Sequence, residues 1–349
     1  MTSHEIPELV RRSLQRCIGC HDQCMFASAE VIASGRQELV MSRLAASVRD
    51  IADGAMTPDR AFIDDLFMSF DQGAQHRHCV VLDGSQDPRV WLAWARAALA
   101  ADAGIDPGPV RALREARAAA GTSSAAAIER PDAVLIRDGV TSGEDRDAVR
   151  LLESRGLRVA TATVPSGGVL ERFYGLQQEE REAALEASAV LGGLADAVLA
   201  TDDPAVAYAA AHIWPDNGVR LDVRLLGEIV RPEPVPGADG RTVVVDDVGL
   251  LAELPGATER IRELLSAAGY RVVEPPSTGA DARDDGPMLD YPDPALRARV
   301  GAARYEELRS TGADLVVAVA PWSLRNLPNG PIPVVGLAAA LGAWTDTAR

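Results

Sequence analysis

Hydrophobic positions along the chain fall into two regimes. Between Glu30 and Ile51, Val31, Ile32, Leu39, Val40, Leu44 and Val48 recur at helical spacing, which predicts one helix or two. Asp87 and Pro88 stand where a cap and a first-turn proline belong, opening another helix that runs to Ala101. The chain up to about residue 125 is therefore expected to be mostly helical. The small-residue stretch 115-EARAAAGTSSAAAIERP-131 reads as a linker. Beyond it, short apolar runs alternate with amphipathic stretches.

That second regime repeats itself. The first copy comprises 133-AVLIRD-138, a helix over Glu144–Arg155, 157-LRVATATVPSGG-168, a charged helix over Gln177–Leu191, 195-ADAVLATDDP-204 and 219-VRLDVRLL-226. The second comprises 242-TVVVDD-247, a helix over Gly256–Ala268, 270-YRVVEPPSTGA-280, a helix over Asp293–Ser310, 313-ADLVVAVAP-321 and 332-IPVVGL-337. Gly156 and Gly269 each close the first helix of their copy. Apolar runs alternating with helices predict parallel sheets covered on both faces. The expected fold is thus α/β, with an N-terminal all-α domain over residues 1–125. Two duplicated parallel α/β repeats follow at 130–230 and 240–345, separated by the linker 231-RPEPVPGADGR-241.

Composition narrows the classes of function. A net charge of −16 argues against a nucleic-acid partner, because phosphate binding needs a basic face. No apolar run reaches the roughly 18–20 residues of a spanning helix, and the N-terminus lacks the apolar stretch of a signal peptide. A cytoplasmic protein is expected, and there clustered cysteines more often hold metal than form disulfides. The basic residues are all arginine, which fits a GC-rich gene and carries no functional weight.

Three of the four cysteines lie in 13-SLQRCIGCHDQCMFAS-28: Cys17, Cys20 and Cys24. The fourth is Cys79. Counting back from it at the spacing C-x2-C-x2-C-x3-C lands on Ser69, Gln72 and Gln75. In two-cluster ferredoxins the fourth cysteine of each motif ligates the other motif's cluster. A chain that lost the first three cysteines of its second motif would keep the fourth, because that residue serves the first cluster. Cys79 fits this role, and no cysteine stands in the corresponding place after Cys24. Four thiolates remain, as one [4Fe–4S] cubane needs.

With these residues the chain resembles the iron–sulfur subunits that join a two-cluster helical ferredoxin domain to two cysteine-rich "CCG" repeats. They include those of anaerobic glycerol-3-phosphate dehydrogenase, glycolate oxidase and lactate utilisation, and the B-type subunit of heterodisulfide reductase. The resemblance extends from about Leu14 to Leu337. It is strongest at Cys17-x2-Cys20, at Cys79 followed by Asp87, and at 91-WLAWARAAL-99, with support from 203-DP-204 and 320-AP-321. It implies a ferredoxin-like N-terminal domain and a redox partner, a flavoprotein dehydrogenase or another oxidoreductase such as a hydrogenase. The departures are large. The family's CCG triplets fall near Pro165-Ser166-Gly167 and Asp284-Asp285-Gly286. Its "HDPC" falls on Asp246-Asp247-Val248-Gly249, and its "CPxC" on Asp203-Pro204-Ala205-Val206 and Ala320-Pro321-Trp322-Ser323. None keeps a cysteine. Cys20-x3-Cys24 is also one residue longer than the usual spacing, so the cluster loop must be distorted or differently wound.

Other readings compete. Four thiolates, or three with His21, His76 or His78, would also bind zinc. The two histidines flanking Cys79 would tune a cluster or simply face solvent. The sequence Ser166-Gly167-Gly168 follows a strand but lacks a phosphate-loop signature, so a plain turn is expected. Asp246 and Asp247 end a parallel strand, where α/β sites gather, and a helix-capping role is expected for them. The acidic run 178-QEEREAALE-186 reads as a solvated face. The functional expectation is an electron-transfer subunit with one [4Fe–4S] cluster; the alternative is a non-redox scaffold with a structural zinc or Fe–S site. Met25, Phe26, Leu66, Phe67, Met68 and Phe70 would supply a partner interface or pack the helical domain.

Overall fold

The structure, a computed structural model, describes residues 6–20, 22–69, 79, 87–121, 124–125, 128–140, 146–194, 196–285 and 290–342. The N-terminal part holds α1 (Glu8–Ile18), α2 (Ala29–Ser34), α3 (Met41–Ala52), α4 (Arg60–Met68), α5 (Pro88–Asp102) and α6 (Gly108–Ala120). The periodic stretch from Glu30 resolves into two helices. Gly35 takes a left-handed φ of 71° and closes α2, and a 3-10 turn at Gln37–Leu39 leads into α3. Asp87 caps α5 by accepting the Arg89 N–H at 2.9 Å, with Pro88 in the first turn. The stretch expected as a linker is partly structured. Its alanines extend α6 to Ala120, and Ser124–Ala125 forms the edge strand β1. Alanine loses no side-chain entropy in a helix, so a small-residue run continues one readily.

Two sheets follow. The first contains β2 (Ala133–Asp138), β3 (Val159–Val164), β4 (Val198–Thr201) and β5 (Val223–Leu225), in the order β1-β3-β2-β4-β5. All its pairs are parallel except β1 with β3. The second contains β6 (Thr242–Asp246), β7 (Arg271–Val273), β8 (Leu315–Ala318) and β9 (Val334–Gly336), parallel throughout, in the order β7-β6-β8-β9. The order β3-β2-β4-β5 matches β7-β6-β8-β9, as duplication requires. In each sheet the chain winds one way from its first strand and then the other. Switch points therefore lie between β2 and β4 and between β6 and β8, where α/β folds place ligands. Val134 to Ile136 and Val243 to Val245 have no exposure, as strands buried on both faces must.

Helices α7 (Asp147–Ser154), α8 (Val169–Tyr174), α9 (Gln177–Leu191) and α10 (Pro204–Tyr208) cover the first sheet. The second carries α11 (Ala257–Ala267), α12 (Pro294–Arg309), α13 (Ser323–Asn326) and α14 (Leu337–Leu341). The helical part packs on both repeats: α5 against α8, and α2 against α12. At Gly175, φ is +76°, and an added Cβ would stand 2.2 Å from the Ala93 carbonyl oxygen of α5. Only glycine allows that approach. Segment 231–241 is itself packed, with Val235 and Ala238 buried and the Val235 N–H donating to Ala268 O at 2.8 Å. Among the described residues no helix is long and apolar enough to cross a membrane.

Candidate metal centre

Cys17 lies in the last turn of α1, which stops at Gly19. The Cys20 N–H then donates to Cys17 O at 3.1 Å, folding the second thiol back towards the first. The extra residue between Cys20 and Cys24 is absorbed at Asp22, whose φ of 58° and ψ of 29° are left-handed. Aspartate tolerates that conformation better than most residues. Its carboxylate accepts the Ser42 hydroxyl of α3, which ties the loop to the helical part. A 3-10 turn over Gln23–Phe26 then carries Cys24. The Cys24 carbonyl receives the N–H groups of Ala27 at 3.0 Å and Ser28 at 2.9 Å, and the Ser28 hydroxyl at 2.9 Å.

Cys17 and Cys24 are buried, each 5% exposed, whereas Cys20 and Cys79 are half-buried. Burial pushes the Cys17 thiol up. The neighbouring thiols Cys24, Cys79 and Cys20, in that order, push it further. All three other sulfurs thus lie within electrostatic reach of Cys17. One group acts the other way: the indole N–H of Trp91, on α5, favours the Cys17 thiolate. Trp91 is fully buried, and this N–H reaches no acceptor at hydrogen-bond distance. The two facts agree if the N–H faces the sulfur from beyond ordinary hydrogen-bond length.

Among the described residues, no three His, Cys, Asp or Glu side chains converge as ligands of a single ion. With zinc–sulfur bonds of about 2.3 Å, tetrahedral thiolates stand about 3.8 Å apart. A cubane seats each thiolate on a different iron and spreads its ligands wider. The other three sulfurs lie within electrostatic reach of Cys17, and among the described residues none of these groups forms a tight single-ion site.

Ser69, where the cysteine spacing would put the first position of a second motif, is fully buried. Its hydroxyl donates to Leu39 O at 3.1 Å, and its carbonyl accepts from Arg96. The guanidinium of Arg96 also donates to Leu66 O at 2.8 Å and Phe173 O at 2.5 Å. It lies over the rings of Phe67 and Tyr174, at 5.5 and 5.8 Å. Gln72, Gln75, His76, His78, Phe70 and His21 lie outside the described residues. Leu66 and Phe67 are internal, with 0% and 1% exposure, because α4 presses its apolar face onto α5. These two residues are core and not interface. Met25 and Met68 are partly buried against the same core, and Phe26 stands 62% exposed.

In the repeats, Ser166-Gly167-Gly168 forms a turn. The Gly167 N–H goes to Asp138, the Gly168 N–H to Ser166 Oγ at 3.1 Å, and the Ser166 hydroxyl to Glu171 Oε2 at 2.8 Å. Asp247 accepts the N–H of Gly279, the first residue of a 3-10 turn over Gly279–Asp281, at 2.7 Å, and it also pairs with Arg262 at 2.6 Å. Asp246 instead pairs with Arg304 at 2.8 Å. The acidic helix α9 is only partly solvated, since Glu179 and Glu186 hold Arg114 and Arg117 of α6 at 2.6 and 2.9 Å. Sequence reasoning missed Trp91 and Arg96. The available signal was an arginine on an apolar helix face within 91-WLAWARAAL-99.

No family model and no curated protein matches the chain. Among solved structures it is similar to a hypothetical protein from Helicobacter pylori, at a TM-score of 0.56 and 10% sequence identity. The match covers 87% of this chain and 67% of that one. It shows the fold: α/β, with a helical N-terminal part and two mostly parallel sheets.

Proposed function

We propose that the chain is an electron-transfer subunit holding one [4Fe–4S] cluster on Cys17, Cys20, Cys24 and Cys79. Its partner would be a flavoprotein dehydrogenase or another oxidoreductase such as a hydrogenase. One observation carries this reading: the four cysteines of the chain come from two separate segments, yet the other three all bear on the buried sulfur of Cys17. The ligand-exchange logic that singles out Cys79, and the resemblance to helical ferredoxin domains, support it. When bound, the cluster supplies a one-electron couple.

The chain's own residues define the setting of that couple. Burial of Cys17 and Cys24 excludes water from their side of the site. The Trp91 N–H favours negative charge on Cys17 and would in the same way raise the potential of a bound cluster. Half-buried Cys20 and Cys79 mark the open side, with exposed Phe26 beside Cys24 in the same turn. A partner's cofactor would approach there, because electron transfer falls steeply with distance. The work is assigned to the cytoplasm, where thiols stay reduced.

Iron and sulfide analysis of anaerobically prepared protein tests the proposal, with EPR after reduction. About four irons and four sulfides per chain are expected. Two clusters would sink it, and one zinc per chain would replace it with the scaffold reading.

A further inference from the structure

The switch point of the second sheet holds a polar site remote in sequence from the cysteines. Asp246 ends β6, Ser323 opens α13 beyond β8, and Asp285 comes from the loop that precedes α12. All three are buried, at 0%, 0% and 1% exposure. Asp246 Oδ1 takes the Arg304 Nε–H at 2.8 Å, which fixes that carboxylate. Its Oδ2, both oxygens of Asp285 and the Ser323 hydroxyl have no partner at hydrogen-bond distance among the described residues. The two carboxylates nevertheless feel each other, and the Ser323 hydroxyl bears on both.

Native proteins carry only a few unsatisfied buried polar atoms per hundred residues, because each forfeits its hydration without return. Four gathered at one strand end require a reason. The first repeat offers a control. Asp138 and Asp247 correspond, since each accepts the N–H of a glycine, Gly167 or Gly279, in the loop after the neighbouring strand. Asp246, one position earlier, then corresponds to Arg137. The second repeat alone places a carboxylate there and faces it with another.

We infer that Asp246, Asp285 and Ser323 bind a hard divalent cation of the Mg2+ or Mn2+ class. An all-oxygen ligand set selects such ions over thiophilic ones. Two carboxylates and a hydroxyl leave positions for water, which suits Mg2+, an ion that sheds its hydration reluctantly. Arg304 offsets one carboxylate, and the cation offsets the rest. Asp284 lies beside Asp285 and adds to the negative field.

The test is a Mn2+ titration of the full chain, freed of divalent ions by chelator, read by EPR. Thermal unfolding with and without Mg2+ gives a second readout. One Mn2+ per chain is expected, displaced by Mg2+, with at least a tenfold weaker site in Asp285→Asn and in Ser323→Ala. Mg2+ should raise the melting temperature of the wild type and not of Asp285→Asn. Should Asp285→Asn misfold by circular dichroism, Ser323→Ala and Mg2+ competition on the wild type decide. Wild type that binds Mn2+ no more tightly than the variants overturns the inference, because a chain of charge −16 gathers cations diffusely. Neither readout depends on iron, so failure here leaves the cluster proposal untouched.

Discussion

Replacing Arg96 with methionine should destabilise the chain by about 2–3 kcal/mol. The guanidinium supplies donors to three carbonyls, those of Leu66, Ser69 and Phe173. Methionine leaves them unpaired in the interior, at about 2 kcal/mol each and hence about 6 kcal/mol together. Loss of the two ring contacts adds about 1–2 kcal/mol. Against this stands the cost of burying the charge, which lowers the pKa of Arg96 to about 9 and amounts to about 5 kcal/mol. Even so lowered, the group is charged at neutral pH. Lysine should not rescue, since a compact ammonium cannot span carbonyls on three segments. The measurement is urea unfolding of cluster-free protein, followed by tryptophan fluorescence. A midpoint unchanged to within about 0.5 kcal/mol would show that the carbonyls find other donors, and the reasoning would fail.

Cys79→Ala should lose iron as completely as Cys20→Ala; full iron content and an unaltered spectrum in that variant would refute the ligand-exchange argument. Glu171 is 1% exposed, with Oε1 3.8 Å from the Arg117 guanidinium, and burial raises its pKa against the pull of Ser166 and Arg117. The native state therefore binds the extra proton, and stability should fall as pH rises from about 4.3 towards the raised value. Glu171→Gln should flatten that slope and be the more stable protein at neutral pH; an unchanged slope in pH-dependent unfolding counts against the assignment. Gly175→Ala should cost about 3 kcal/mol, from its left-handed φ and the Ala93 carbonyl behind it, and a wild-type melting temperature would show that α5 and α8 shift apart freely.

Much of the architecture was legible in the sequence. The run 242-TVVVDD-247 has no polar interruption before its aspartates, and only a strand covered on both faces tolerates that. Asp293 followed by Pro294 announced α12, and its carboxylate does accept the Leu296 N–H at 2.8 Å. Local signals of this kind survive because neighbours along the chain fix them. Leu66 and Phe67 show where such signals stop. Their hydrophobicity was visible, but whether they face a partner or α5 depends on which helix arrives later in the chain. Arg96 was opaque for the same reason, since its acceptors lie on α4, after α4 and on α8. Asp246 and Asp285 lie in separate segments, and only the winding of the second sheet sets them face to face. In the cysteine loop the sequence called for a distortion. Which residue would take the left-handed conformation was settled by Ser42, on another helix.

The apolar core that begins under the cysteines runs without a break into both sheets. Arg89 of α5 reaches across to Glu253 at 2.6 Å, and α2 rests on α12. A gene fragment ending near residue 125 would therefore not yield a portable unit. Excised, it would bare the face of α5 that Gly175 and Phe173 now cover, and it would leave Arg96 without the Phe173 carbonyl. Grafting the cysteine loop onto another carrier would require both sheets as well. Two repeats without a cysteine of their own would thus persist under selection as the mould in which the four thiols are cast.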